Sequence, residues 1–440
     1  MAQTSTPHPP GSLGPPFVGE TMKFVGDPFE FTMSRTREHG NVWKTRLLGD
    51  TVVFFAGPEA FSVFADPDNF ARQGASPKAL QNLLHPDAVV FLDDERHELR
   101  KQLLLSAFTD EALDSYLPGI FAILRRYADE WAARGEHAVA NDLPQAAFDI
   151  ADHLFAASDT DTSDTKNAAD LALFLDGALA PPVDLPFTAY GKAVRARNRL
   201  RERLAARVAD VDIEDARTVL GALRSARGPA GEQLRTDELE IELPHFYFAA
   251  HAGFTAVLAW LLVVLGENPE LAKRLREEAD AVLGDGTPTL AGVRELSTAQ
   301  AVSREVLRAY PIVPFTSFGV AQRDLDVDGY RIEAGWKGTG AIWATLQDGA
   351  TFADPSTFCP DRLGHERVEA LPTHAHVALG AGAHRCAGEA LVQLLMPAFL
   401  GWFTRHYEWE YPAQDASPSG KGIGPLPRDR VRGTVLHRLG

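Results

Sequence analysis

The chain has 440 residues, 45% of them hydrophobic, with 60 acidic side chains against 43 Lys and Arg and a formal charge of −17. Such a balance excludes nucleic acid as an electrostatic partner, because no cationic surplus is available to neutralise phosphates. Two cysteines, Cys359 and Cys386, are too few for a disulfide framework, so the expected compartment is reducing and cytoplasmic.

In chain order, residues 1–20 are rich in Pro and Gly and lack the apolar run of roughly 18 residues that a membrane helix needs. No membrane anchor is expected. No Gly/Ser linker, repeat or low-complexity block interrupts residues 21–440, which read as a single domain with a large core. Val42 to Phe55 is rich in β-branched and aromatic residues and reads as extended. His97-Glu98-Leu99-Arg100-Lys101 opens a helix, and Leu103 to Arg134, Asn198 to Ile213 and Asn268 to Leu283 have helical composition. Between them, a long apolar helix is expected from about Glu238 to Leu265. Glu305 and Arg308 stand three residues apart, neighbours on a helix that can form a charge-assisted fork. Extended structure is expected again from Phe315 to Ile342. After Cys386, the apolar residues Leu391, Leu394, Leu395, Ala398 and Phe399 recur at helical spacing.

The most informative stretch is Val377-Ala378-Leu379-Gly380-Ala381-Gly382-Ala383-His384-Arg385-Cys386-Ala387-Gly388-Glu389. Its glycines let a flat group approach the backbone, and a cysteine thiolate can serve as the axial ligand of haem iron. The stretch resembles the haem-binding loop of the cytochrome P-450 family, F-x-x-G-x-G-x-(H/R)-x-C-x-G. Gly380, Gly382, His384, Cys386 and Gly388 match that pattern, and Val377 stands where the family carries an aromatic. Glu305-Val306-Leu307-Arg308 is similar to the family's E-x-x-R pair. Gly329-Tyr330-Arg331-Ile332 with Ala334-Gly335-Trp336 is similar to its G-Y-x-I-P-x-G-W turn. Phe358-Cys359-Pro360-Asp361-Arg362 is similar to its F-x-P-x-R-F segment.

The resemblance runs from about Pro9 to about Tyr411. It implies a mainly α fold with a smaller β-rich region, and haem b buried between the central long helix and the helix after Cys386. It implies a monooxygenase-like oxidoreductase acting on an apolar small molecule, as in secondary metabolism. Cys386 is the implied iron ligand, tempered by the backbone N–H groups that follow it, and Arg362 is implied to complete a network with Glu305 and Arg308. Electrons, where dioxygen is used, are implied to come from a separate ferredoxin and its reductase or from a flavoprotein, with Arg385 on the docking side.

Residues 97–108 resemble the H-x-x-R-K segment of the retinoic-acid-hydroxylase-like branch, which implies that His97, Arg100 and His384 face a haem propionate. A further propionate arginine expected in that branch is replaced here by Gly319. The central helix departs more. Family monooxygenases carry (A/G)-G-x-(D/E)-T there, an acid and an alcohol that deliver protons for O–O cleavage. With Ala249-Ala250-His251 in the first three places, the acid and alcohol become Ala252 and Gly253. With Ala252-Gly253-Phe254 there, they become Thr255 and Ala256. The first is preferred, because His251 then matches a histidine of the same branch.

Several chemistries follow from that departure. Proton delivery by substrate, or by His251, Thr255 and water, preserves hydroxylation. Direct use of peroxide bypasses the relay, and nitrogen-group transfer, rearrangement or dehydration without dioxygen makes it unnecessary. His251 can equally be a core histidine. Two further readings are a haem-thiolate sensor or carrier and a zinc site drawn from His374, His376, His384 and Cys386.

Overall fold

The computed structural model describes residues 6–178, 180–210, 217–284, 286–419 and 424–438. The longer helices are α1 (Pro28–His39), α2 (Gly57–Ala65), α3 (Asp94–Leu105), α4 (Asp110–Arg134), α5 (Leu143–Ala156), α6 (Thr165–Gly177), α7 (Ala189–Asp210), α8 (Thr236–Glu267), α9 (Pro269–Val282), α10 (Ser297–Ala309) and α11 (Glu389–His406). The strands are β1 (Val42–Leu47), β2 (Asp50–Phe55), β3 (Phe70–Ala71), β4 (His137–Ala138), β5 (Gly319–Ala321), β6 (Leu325–Val327), β7 (Tyr330–Ile332), β8 (Lys337–Gly340), β9 (Tyr407–Glu410) and β10 (Arg432–His437). The chain divides into two compact units. One is built from the segments up to Glu98, Val313–Phe358 and Arg367–Cys386, and the other from Leu99–Ile312, Cys359–Glu366 and the segment from Ala387 onward.

The first unit is organised by a five-stranded sheet in the order β1-β2-β8-β5-β3. Its β2 is apolar along most of its length because both faces of the sheet are covered. Val52 and Phe54 join Trp43, Phe24 and Phe31 on one side, where the Trp43 and Phe54 rings stack at 4.2 Å. Val53 and Phe55 join Val42, Phe64, Phe70 and Ile332 on the other. The antiparallel pairing of β3 with β5 sets Phe70 opposite Ala321 and Ala71 opposite Val320. That pairing decides what lies beside Gly319.

In the second unit α8 packs against α5 and α7, and nearly all of its residues from Phe254 to Leu265 are buried core. By length and composition α8 is able to cross a membrane, with a mean hydropathy of 2.1 over its most apolar window. That window is 78% buried within the protein, which makes α8 a core helix. Its start is marked by the Glu238 carboxylate accepting from the Arg235 N–H at 2.9 Å. Its end comes at Asn268, because Pro269 opens the next helix. Trp260 stacks on Tyr310 at 3.9 Å and donates its indole N–H to the Pro425 carbonyl.

The expected helix at 238–265 is present and extends two residues further at each end. The helical stretch expected from Leu103 to Arg134 is broken, since Thr109 accepts from the Ala112 N–H at 3.3 Å and starts α4 afresh. Of the helix expected at 198–213, residues 211–213 lie outside the described residues. Strands β9 and β10 fall outside both segments expected to be extended. They pair with each other from Thr434 opposite Glu410 to His437 opposite Tyr407, a match between segments too far apart for local periodicity to reveal.

Candidate active site

In the first unit, residues 377–386 fold into a tight loop of backbone hydrogen bonds. Gly380 N–H donates to Val377 O at 2.8 Å, Arg385 N–H to Gly382 O at 3.2 Å and Cys386 N–H to Leu379 O at 2.8 Å. The turn requires positive φ at Gly380 (79°) and Gly382 (63°). A Cβ on Gly382 would also collide with the Ala65 carbonyl at the end of α2, so the glycine is needed for conformation and for space. Val377 is buried, and the loop ends with Cys386 exposed.

Two histidines and a carboxylate meet at this loop. The His97 and His384 rings stack at 4.1 Å with 30° between their planes, and His384 Nε2 lies 3.7 Å from Asp93 Oδ1. Asp93 accepts the backbone N–H groups of Arg72 (2.9 Å) and Gln73 (2.7 Å). Burial pushes the Asp93 carboxyl upward, but His384 and these N–H groups outweigh it and hold the group below its ordinary range. Arg72 itself is only 4% exposed. Among the described residues, neither its Nε nor its Nη1 has a hydrogen-bond partner.

These features fit a flat anionic cofactor. The thiol is a soft metal donor, the glycines leave a cradle, and the buried Arg72 guanidinium has two nitrogens without an acceptor among the described residues. The residues therefore fit haem. The zinc reading fares worse. His374 Nδ1 is engaged by Ser62 Oγ at 2.7 Å, and among the described residues no group of three or more His, Cys, Asp or Glu side chains is gathered to hold a metal ion.

In the second unit, α8 carries His251, Ala252, Gly253 and Thr255. His251 is buried, its pKa pushed down to about 4 by burial with the Pro144 carbonyl acting against the shift. Among the described residues, His251 Nδ1 and Thr255 Oγ1 have no hydrogen-bond partner. At about 100° per residue, His251 and Gly253 are about 160° apart around the helix. His251 faces α5, whereas a Cβ on Gly253 would meet no atom within 4 Å. Ala249, one turn before Gly253, is exposed. Small residues thus line an open stripe of α8, and His251 lies off it.

Arg100 is expected beside His97 at a propionate, yet its guanidinium is committed elsewhere. It donates to Glu242 at 2.8 Å and Glu238 at 2.6 Å, both on α8. The Glu305 and Arg308 fork forms with both residues fully buried. Arg362 Nε and the Cys359 N–H also donate to Glu305, at 3.2 and 2.9 Å. Gly388 precedes the first turn of α11. The sequence offered no pointer to Arg72 or Asp93, because neither belongs to a motif and only the β3–β5 pairing and the turn into α3 bring them together.

The sequence pattern described as Cytochrome P450 matches residues 9–426. Cytochrome P450 120 of Synechocystis sp. is 29% identical, with 99% of this chain and 98% of that protein covered. Abscisic acid 8'-hydroxylase 2 of Arabidopsis thaliana is 27% identical over 95% of this chain and 87% of its own length. The structure of retinoic acid-bound cyanobacterial CYP120A1 matches with a TM-score of 0.90 at 28% identity, covering 99% of this chain and all of that one.

Proposed function

The chain belongs to the cytochrome P450 family, and from that premise we propose that it hydroxylates an apolar, carboxylate-bearing small molecule of the size of retinoic or abscisic acid. It is an oxidoreductase whose cofactor is haem, iron protoporphyrin IX. Haem bound through a thiolate supplies O–O cleavage and the oxidation of unactivated C–H bonds. The chain's own residues do the rest. Cys386 provides the thiolate from a loop that Gly380 and Gly382 make possible. His97 and His384 face the propionates, while Glu305, Arg308 and Arg362 hold the polypeptide near Cys359 in place.

The observation that carries the reading is the open stripe of α8 at Ala249 and Gly253. Small residues there leave room for an apolar skeleton to lie against the helix. Relatives named for retinoic and abscisic acid support the substrate class. No acid or alcohol stands at Ala252 or Gly253, so the protons for O–O cleavage are supplied by water or by the substrate's own polar group. His251 does not carry them, because it is turned to α5 and held neutral by burial. Electrons come from a separate ferredoxin or flavoprotein that meets exposed Arg385, and a cytoplasmic location belongs to the same proposal.

The same missing pair favours a second reading, in which peroxide rather than dioxygen is the oxidant. The test is spectral titration of the ferric protein with retinoic and abscisic acids, followed by product analysis. Turnover is compared with a reductase system under air and with hydrogen peroxide in its absence. Hydroxylated product only with the reductase supports the main reading; product only with peroxide supports the second. Absence of any substrate-induced spectral change with either acid overturns the substrate class.

A further inference from the structure

We propose that Arg72 holds a haem propionate in place of the arginine that Gly319 lacks, the cation having moved from strand β5 to its neighbour β3. The proposal rests on the haem reading above and adds to it a residue that no motif contains.

Three observations carry it. A side chain on Gly319 would start where Arg72 already is, since a Cβ there would collide with Arg72 Nη1. The guanidinium thus fills the space above Gly319 that an arginine rooted at that position would use. The β pairing explains how, because Ala71 lies opposite Val320 and the chain delivers residue 72 beside residue 319. Second, Arg72 is buried to all but 4%, yet among the described residues its Nε and Nη1 have no hydrogen-bond partner. A buried charge short of hydrogen-bond acceptors is costly, and burial pushes the Arg72 pKa down to about 10 against the opposing pull of Asp93.

Third, the surroundings position the group without satisfying it. Its Cζ lies 4.3 Å from the Phe64 ring centroid, a stacking contact that orients the plane but accepts no N–H bond. Asp93, the carboxylate that pulls on its charge, accepts the backbone N–H groups of Arg72 and Gln73 and approaches His384. His384, with His97 stacked on it, and Arg72 are therefore linked through Asp93 within the first unit. A dianionic group with two flexible carboxylates suits such a cluster, and the fork geometry of arginine suits a carboxylate.

The test measures haem loss from the ferric holoprotein to excess apomyoglobin. Wild type is compared with Arg72→Leu, Arg72→Lys and the double variant Arg72→Ala, Gly319→Arg, each loaded with haem or with haem dimethyl ester. With haem, Arg72→Leu is expected to lose it roughly ten- to a hundredfold faster, as for loss of one charge-assisted hydrogen bond. The double variant is expected to recover most of that loss. With the dimethyl ester, the difference between wild type and Arg72→Leu should collapse.

Equal loss rates for wild type and Arg72→Leu with haem overturn the proposal. A penalty of the same size with the ester also overturns it, because the arginine would then be serving the polypeptide alone. If Arg72→Leu fails to fold by circular dichroism, Arg72→Lys gives the reading, with an intermediate penalty expected and none overturning the idea. A wild-type protein that holds no haem at all refutes the haem reading itself, and is recognised before any variant is compared.

Discussion

Arg308 donates its Nε and Nη2 to the two carboxylate oxygens of Glu305, at 2.8 and 2.7 Å, with both side chains at 0% exposure. Glu305 also receives the Cys359 N–H and Arg362 Nε, so one carboxylate ties α10 to the segment that follows Phe358. Removing it takes from the buried Arg308 guanidinium its two-pronged carboxylate partner. Glu305→Ala is therefore expected to cost about 3–5 kcal/mol, and Arg308→Lys to be costly as well because an ammonium cannot reproduce the two-pronged geometry. Urea denaturation of the purified variants measures both, and a loss below about 1 kcal/mol would show that the network is dispensable.

Cys386→Ser is expected to abolish turnover while sparing the fold. The loop's hydrogen bonds run through its backbone, including Cys386 N–H to Leu379 O, and survive the change. The spectrum of the reduced, carbon monoxide-bound protein should lose its strongly red-shifted band, with far-UV circular dichroism unchanged. A variant that retains full rate would refute Cys386 as the ligand.

Gly382→Ala is expected to weaken haem retention more than Gly380→Ala. Both need positive φ, which costs a non-glycine residue about 1–2 kcal/mol. Only at Gly382 would the new methyl also strike the Ala65 carbonyl; at Gly380 the nearest atom is 3.7 Å away. The haem content of the two purified variants, by pyridine haemochrome, ranks them.

His251 predicts the direction of one pH effect. Its folded pKa of about 4 lies below the ordinary 6.5, so between those values the unfolded chain takes up a proton that the folded protein refuses. Stability should fall as pH drops from about 6.5 to about 4, by on the order of 3 kcal/mol from this group. Chemical denaturation at stepped pH tests it. A His251→Gln variant should show a flatter profile across that window, whereas an unchanged slope would mean that the imidazole is hydrated and free to charge.

Installing the missing pair as Ala252→Glu with Gly253→Thr tests the distal chemistry. The threonine is easily housed, since Gly253 has open space around it, and it removes a helix-interior glycine. The glutamate enters a position only 8% exposed, where its carboxyl needs a partner. If the natural site has abandoned dioxygen, reductase-driven oxygen consumption should rise; if water or substrate already supplies protons, the rate should change little while product yield per oxygen shifts.

What the sequence determined by itself was local. The helix expected at about 238–265, the glycine-rich run that ends in Cys386 and the spacing of Glu305 and Arg308 follow from periodicity, glycine conformation and three-residue proximity, all fixed within a few residues of chain. The β-branched and aromatic run at 42–55 likewise announced extended structure. Tertiary structure decided which charges meet. It turned Arg100 to Glu238 and Glu242 and put His251 against α5 rather than on the open stripe. It paired β9 with β10, and it set Arg72 in the space above Gly319 through the β3–β5 alignment. Partnerships of this kind join residues tens or hundreds of positions apart. They depend on strand register and helix rotation, which no window of sequence encodes, because a one-residue slip would send the same side chain to the opposite face.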